Sequence, residues 1–181
     1  MHIAICGYRG SGKDYAGQII SDAFGHRMVA FADPIREEIC ETYQLTGTAE
    51  YDVFKRSIHE IRGREIDGRD IVRNTGMFAR RANVNFFVEE VKRKMIQPVV
   101  ITDLRFENEY KFCKEEEDVI VIQVLSDKTE SDGHESETIP FEPDFKVKNS
   151  HDWHFRRELI NLVNGIYDGD IDEYIKANIN D

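Results

Sequence analysis

Three glycines in a short run precede a lysine near the start of the chain, and this feature has the clearest chemistry. Gly7, Gly10 and Gly12 precede Lys13 in the segment GYRGSGKD (7–14), which fits the pattern G-x-x-x-x-G-K. Backbone N–H groups of such a loop can converge on phosphate oxygens, and the lysine can neutralise charge that develops in phosphoryl transfer. We therefore predict an ATP phosphate site with Lys13 as a catalytic residue. Its predicted residues are Gly7, Arg9, Gly10, Ser11, Gly12, Lys13, Asp14 and Tyr15.

Two aspartates are candidate Mg²⁺ ligands beside that loop. Asp14 stands where the pattern usually has Ser or Thr, whose hydroxyl binds the ion, and a carboxylate is also a hard oxygen ligand. Asp103 ends the apolar run VVIT, the position at which a strand-end acid meets the Mg²⁺ of a P-loop enzyme. The alternatives are structural: Asp14 as a first-turn acid favoured by the helix dipole, and Asp103 as a helix cap.

Asp33 follows the second predicted strand and precedes Pro34, so two interpretations apply to it. At a strand end it would lie on the rim where doubly wound sheets bind ligands, and it could orient an acceptor phosphate or act as a base. As the N-cap of a helix that has Pro34 in its first position, it would have a structural role. We predict Asp33 as a catalytic and substrate-binding residue.

Strands that alternate with helices must position these residues. An apolar run at 2–6 leads into the glycine loop and a helix at 13–24, which is the context that the motif requires. From 50 to 97 the periodicity is helical, with breaks around Gly63 and Gly68. The alternation predicts an α/β fold: a doubly wound parallel sheet of the P-loop NTPase type with helices on both faces and a helical insertion. The other predicted strands are 27–31, 98–103, 119–125 and 145–147. Of the other predicted helices, one starts at 33–34, one runs from after 103 to about 117, and one spans 153–179.

Composition and charge narrow the class of protein. A chain of 181 residues, 40% hydrophobic and 33% charged, is long enough for one sizeable core, so 1–181 is predicted to be a single domain. It has no apolar run of about 18 residues and no secretory signal at its start, which predicts a cytoplasmic protein without membrane contact. The net charge of −11 argues against a nucleic-acid polymer as partner. Residues 55–105, however, hold 12 Lys and Arg against 7 Asp and Glu, so an anion is expected to bind in the middle of the chain.

Two further features complete the organisation. Residues 126–143 are polar and acidic and contain one glycine and two prolines, which is typical of a long loop or lid rather than core. Cys6, Cys40 and Cys113 are odd in number, far apart and not grouped with histidine. They are therefore predicted to be reduced thiols with structural roles.

Four segments, in this order, resemble the deoxynucleoside monophosphate kinases of bacteriophages. They are GYRGSGKD (7–14), FADPIRE (31–37), VVITDLRFENE (99–109) and DGHESE (132–137). The glycine loop alone does not identify a substrate, but its Lys-Asp ending combined with the Asp-Leu-Arg-Phe block is fairly specific. The resemblance implies a nucleoside-monophosphate-kinase-like fold and transfer of the γ-phosphoryl of MgATP to the α-phosphate of a dNMP, which gives dNDP and ADP. It also implies a role in nucleotide biosynthesis, in the host cytoplasm if the protein is phage-encoded.

The same resemblance indicates the substrate side of the site. Arg105 would face the phosphates, where a guanidinium can bridge donor and acceptor oxygens in two-pronged fashion; a surface ion pair with Glu107 or Glu109 is the alternative. The basic helical region would bind the acceptor, and Glu137 in the long loop would grip an arginine or the sugar. The expected partners are ATP and a dNMP, and a homodimer is left open. The predicted substrate-binding residues are Asp33, Arg36, Arg69, Arg73, Arg80, Arg105 and Glu137.

Two other functions fit parts of this pattern. A P-loop phosphomevalonate kinase would share the Lys-Asp ending, the strand-end aspartate with a nearby arginine, and a downstream Glu-Ser-Glu; it also transfers phosphoryl to a phosphate. The FADP and DLRFENE segments favour the nucleotide kinase over it. A regulator that holds ATP without turnover needs no second phosphate pocket, so the basic acceptor region argues against that function.

Overall fold

The computed structural model describes residues 1–127 and 139–170. The strands within these ranges are β1 (Ile3–Cys6), β2 (Arg27–Val29), β3 (Ile58–Ile61), β4 (Arg64–Asp67), β5 (Val99–Ile101), β6 (Ile120–Leu125) and β7 (Phe145–Lys148). Five of them form one parallel sheet in the order β2-β5-β1-β6-β7, so the connection after β1 runs toward the β2 edge and the connection after β5 runs toward the β7 edge. The predicted α/β fold, a doubly wound parallel sheet of the P-loop type, is confirmed.

Helices cover both faces of this sheet. The helices within the described ranges are α1 (Lys13–Phe24), α2 (Asp33–Thr42), α3 (Thr48–Lys55), α4 (Gly68–Ala82), α5 (Phe86–Lys94), α6 (Glu107–Lys111) and α7 (Trp153–Asp168), and a π-helical turn, Phe112–Glu116, continues α6. Of these, α1, α6 and α7 belong to the same compact unit as the sheet. The β1–α1–β2 and β5–α6–β6 connections cross the sheet in opposite directions. Because such crossovers are right-handed, α1 and α6 lie on opposite faces.

The core explains why β1 is apolar along its whole length. All four of its residues are buried, as in strands that are covered on both sides. Ile3 and Ile5 point to one face, where they pack in a cluster with α1 and α7. Successive side chains of a strand point to opposite faces, so Ala4 and Cys6 fill the other. The helical members of the cluster include Ile19, Ile20, Phe155, Leu159, Leu162 and Val163.

Residues Phe31–Arg93 form a second compact unit, and Met1–Ala30 together with the chain from Lys94 onward form the first. The second unit contains α2, α3, α4 and the antiparallel hairpin β3–β4. Its small core consists of Ile39, Tyr51 and Phe54, against which side chains of α2 and α4 pack. Gly76 of α4 is buried at the contact with α2. A Cβ there would lie 2.8 Å from Ile35 Cδ1, so a larger residue would push the Ile35 side chain aside.

The second unit corrects the prediction of a helical segment at 50–97. A β-hairpin occupies 58–67 inside it. The turn between its strands uses Arg62 and Gly63, both at positive φ (53° and 75°), a geometry typical of two-residue hairpin turns. Gly63 was thus a turn signal, but the four-residue segment Ile58–Ile61 does not alternate between apolar and polar residues and could not outweigh the helical periodicity around it.

The interpretation of Asp33 as a helix cap is also corrected. Asp33 is not the N-cap of α2: the helix begins at Asp33 itself, Ala32 is the capping residue, and Pro34 stands in the first turn. Trp153 is 61% exposed at the start of α7, where it stacks on His154 with ring centroids 3.8 Å apart.

The predicted lid at 126–143 lies largely outside the described residues. Glu137, predicted to bind substrate, and the neighbouring His134 and Glu135 are among the residues not described. The described end of this segment contacts α6: Phe141 stacks on Tyr110 at 4.5 Å, and the Tyr110 hydroxyl donates to the Glu142 carbonyl. In the part of the chain that the structure covers, no helix is long and apolar enough to cross a membrane. The three cysteines are unbridged, and burial raises the pKa of Cys6 and of Cys113 to about 12, which keeps both thiols protonated.

A buried histidine joins the N-terminus, α1 and α7. His26 is 1% exposed and meets edge-on the rings of Phe24 and Tyr167, which stack on each other with centroids 5.7 Å apart. Its Nε2 is 3.2 Å from both the Met1 carbonyl oxygen and the Tyr167 hydroxyl, whereas its Nδ1 has no hydrogen-bond partner among the described residues. Burial lowers the pKa of His26 below its ordinary value near 6.5.

Protonation of His26 is expected to make folding stability depend on pH. The unfolded chain takes up a proton at His26 near pH 6.5, whereas the folded chain resists protonation, so folding stability is present above pH 6.5 and is lost as pH falls below it. We expect His26→Gln to lose less unfolding free energy than the wild type between pH 7.5 and 5.5, measured by urea denaturation. Equal losses in the two proteins would contradict this assignment.

Candidate active site

The glycine loop lies between β1 and α1, and the connections that follow the neighbouring strands β1 and β5 run toward opposite edges of the sheet. Ligands of doubly wound sheets bind at this switch point, beyond the carboxyl ends of the strands. Two glycines are required by geometry. A Cβ on Gly7 would lie 2.5 Å from the Val124 carbonyl oxygen, and Gly12 has φ 99°, in the left-handed region that favours glycine. The sequence therefore folds here into a loop that packs against the sheet and ends at a helix N-terminus.

Lys13 is held inside this loop although it carries a charge. It is 7% exposed, and its Nζ donates to the carbonyl oxygens of Gly7 and Tyr8, both at 2.7 Å. These bonds place an ammonium group at the first turn of α1, beside the positive end of the helix dipole. The arrangement concentrates positive charge at one point, which is what a polyphosphate requires.

Ser11 and Asn149 fix the far side of the loop. Ser11 is 1% exposed, and its Oγ has no hydrogen-bond partner among the described residues. Its carbonyl oxygen accepts a 2.8 Å hydrogen bond from Nδ2 of Asn149, the residue that follows β7. Sequence analysis missed Asn149, because its role depends on the neighbouring position of β7 in the sheet and no motif marks it.

The two candidate Mg²⁺ ligands flank the loop. Asp14 is exposed in the first turn of α1. In the pairing of β1 with β5, Ala4 is opposite Ile101, so Asp103 is level with Cys6, the last residue before the loop. The Leu104 N–H donates to the Ile5 carbonyl at 3.1 Å and holds the chain after Asp103 against the end of β1. Carboxylate oxygens in this place suit Mg²⁺, which binds through one or two carboxylates and substrate phosphates.

Arg105 stands on a turn that a buried carboxylate organises. Glu109 is 1% exposed, and its Oε2 accepts hydrogen bonds from the backbone N–H groups of Arg105 and Phe106, at 3.0 and 3.1 Å. Glu109 is the third residue of α6, a position from which glutamate reaches back to cap the helix start. Glu107 forms an exposed ion pair with Lys111 at 2.9 Å. Glu109 thus fixes the backbone of Arg105. A glutamate three residues after Phe106 is the sequence signal from which this cap could have been predicted.

The other described residues that were predicted to bind substrate lie in the second unit. Asp33 is buried and pairs with Arg36 one turn along α2. Arg69, Arg73 and Arg80 share one stripe of α4, since steps of four and seven residues return to the same side of a helix. Within that stripe, Arg73 contacts Asp70 at 3.3 Å, and the Arg80 guanidinium lies 4.5 Å from the Phe87 ring centroid.

A pocket of about 380 Å³ adjoins the glycine loop in the first unit. The loop contributes Gly10 and Gly12, and α1 contributes the half-exposed Tyr15. The turn before α7 supplies the opposite wall. Hydrogen bonds from Ser150 and His154 lower the pKa of Asp152 to about 2, so this wall carries a carboxylate at neutral pH. The residues of this wall are Asn149, His151 and Asp152, none of which was predicted.

Similarity to known proteins is found among solved structures. No protein-family model matches the chain, and no curated protein sequence matches it. Several solved structures are similar to it. A gluconokinase from Sinorhizobium meliloti is 15% identical with a TM-score of 0.47, over 92% of this chain and 95% of that one. A dephospho-CoA kinase from Campylobacter jejuni is 15% identical with a TM-score of 0.47, over 93% and 98%. A sugar kinase from a Janibacter species is 14% identical with a TM-score of 0.42, over 90% and 91%. Likenesses at this level do not assign an activity.

Proposed function

We propose that this chain is an ATP-dependent phosphotransferase whose acceptor is itself a phosphate, and that the acceptor is a deoxynucleoside monophosphate. The observation that carries the proposal is the buried Lys13, held by two loop carbonyls at the start of α1. A buried ammonium is costly unless it is partnered, so its retention at the switch point of a parallel sheet favours phosphate binding over a surface role.

The donor side follows from the first unit. The loop amides and the N-terminus of α1 would bind the β- and γ-phosphates of ATP, and Lys13 would stabilise charge on the transferred group. Asp14 and Asp103 would hold Mg²⁺, which neutralises charge on the phosphates when it is bound. Arg105, with its backbone fixed by Glu109, would add a guanidinium that contacts donor and acceptor oxygens at once.

The acceptor side rests on the second unit and on the resemblance of FADPIRE and DLRFENE to nucleotide kinases. Arg69, Arg73 and Arg80 offer guanidinium groups along one stripe of α4, suited to a phosphate monoester. Asp33 would orient Arg36 through their ion pair. No strong base is needed, because a phosphate monoester is largely dianionic at pH 7. An acceptor oxygen bonds to the γ-phosphorus as the bond from that phosphorus to the β–γ bridging oxygen breaks, which gives dNDP and ADP.

An acceptor screen tests this proposal. The purified protein is incubated with MgATP and, separately, with each dNMP, each NMP and mevalonate 5-phosphate, and ADP is measured. We expect ADP to form faster than with MgATP alone only when a nucleotide acceptor is present. ADP formation with mevalonate 5-phosphate alone would overturn the acceptor in favour of a phosphomevalonate kinase. Binding of MgATP without turnover on any acceptor would favour a regulator instead.

A further inference from the structure

Asn149 forms hydrogen bonds through its backbone N–H and through both ends of its side-chain amide. It is 5% exposed, and its backbone N–H donates to the Leu125 carbonyl at 2.8 Å, which extends the pairing of β6 with β7. Its side-chain Nδ2 donates to the Ser11 carbonyl in the glycine loop, and its Oδ1 accepts from the His151 N–H, both at 2.8 Å. A buried side chain that must donate on one side and accept on the other can be neither Asp nor Leu without loss of a bond.

The bond to Ser11 sets the orientation of one loop peptide. The carbonyl of Ser11 and the N–H of Gly12 belong to the same planar trans peptide and point in opposite directions. Because the carbonyl is bound to Asn149, the Gly12 N–H is directed away from Asn149. The flanking groups are also fixed, since the Ser11 N–H donates to the Tyr8 carbonyl at 3.1 Å and the Gly12 carbonyl accepts from Ala16 at 2.8 Å.

The packing at this point leaves no room for adjustment. A Cβ on Gly12 would lie 2.3 Å from Asn149 Nδ2, so the amide can approach the loop this closely only because residue 12 is glycine. On its other side, the Oδ1 bond holds His151 at φ 63° and so shapes the turn whose His151 and Asp152 line the pocket beside the loop. One side chain therefore determines both a loop peptide and a wall of the neighbouring pocket.

We propose that Asn149 is a positioning residue for the donor nucleotide, which aims the Gly12 N–H at a phosphate oxygen and holds the β7–α7 turn (149–152) beside the loop. This inference rests on the proposed function, because it requires that the loop bind a polyphosphate. Asn149 acts through Gly12 and His151 and need not touch the reacting atoms.

Binding of two ligands by Asn149→Asp tests the inference. The carboxylate keeps the size of the side chain and its acceptor for His151, but it cannot donate to Ser11 and would repel that carbonyl. A lost hydrogen bond to an anion corresponds to roughly 10- to 100-fold in affinity, so we expect MgATP and magnesium tripolyphosphate both to bind that much more weakly in calorimetry. The KM for ATP should rise by a similar factor, with a smaller change in kcat.

Asn83→Asp is the matched control, because it also keeps a side-chain acceptor, for the Asn85 N–H, and removes a side-chain donor, to Glu89, at an exposed position of the second unit. It should bind both ligands as the wild type does. Asn149→Ala serves as the second variant if the aspartate destabilises the fold. A lowered melting temperature with both affinities within two-fold of the wild type, in either Asn149 variant, would show a purely structural role and overturn this inference alone. Wild-type protein that binds neither ligand would overturn the proposed function together with it.

Discussion

Replacement of Lys13 by methionine is expected to abolish phosphoryl transfer and leave the fold intact. The side chain places its ammonium group within the glycine loop at the start of α1, where charge develops on the transferred group. Removal of one preorganised charge donor commonly lowers kcat by about 10² to 10³ or more. Methionine keeps the apolar stem and is tolerated at a buried position, so unfolding should change little. The measurement is kcat and KM with MgATP and the best acceptor, beside a thermal melt.

Lys111→Met is the control for loss of a lysine. Lys111 is 57% exposed and pairs with Glu107 one turn away, and an exposed ion pair of this kind contributes little to folding stability. It should retain wild-type kcat. Turnover in Lys13→Met within a few-fold of the wild type would remove the glycine loop from the catalytic site.

Substitution of Arg105 by alanine should lower kcat by about 10² to 10³, the second-largest effect, while ATP binding changes less. The guanidinium follows the strand-end Asp103 by two residues, and Glu109 fixes its backbone. Because the proposed contact spans donor and acceptor oxygens, it strengthens as the two approach in the transition state. Arg105→Lys keeps the charge but loses two-pronged contact, so it should fall between alanine and wild type.

Arg93→Ala provides the comparison for Arg105, since Arg93 is 68% exposed and pairs with Glu90. It should behave as the wild type. If Arg105→Ala raised only the KM for ATP, the residue would contribute ground-state binding. If neither constant changed, Arg105 would have no part in the reaction.

The glycine loop and the sheet could be predicted because local and global signals agree there. An apolar run, the G-x-x-x-x-G-K spacing and the following helix all require the same strand–loop–helix unit. The alternation of strands and helices then predicts a parallel sheet. Asp103 could be placed just beyond a buried strand for the same reason, since β5 ends at Ile101, two residues before it.

Other features depend on contacts that the sequence does not encode locally. Asn149 lies 138 residues from Ser11, and only the order of strands in the sheet makes them neighbours. The hairpin at 58–67 was hidden because four-residue strands inside a helical region give a weak pattern. Asp33 proved to be the first residue of α2 because Ala32 takes the capping position, a shift of one residue that periodicity does not resolve.

Phosphorus NMR of the products of wild-type protein with MgATP and a mixture of dNMPs tests the central claim most directly. Transfer to a phosphate acceptor creates a new phosphoanhydride, so the α- and β-phosphorus signals of a dNDP should appear at the same rate as those of ADP, and Lys13→Met should produce neither. Release of inorganic phosphate with ADP, without any dNDP signal, would contradict the account.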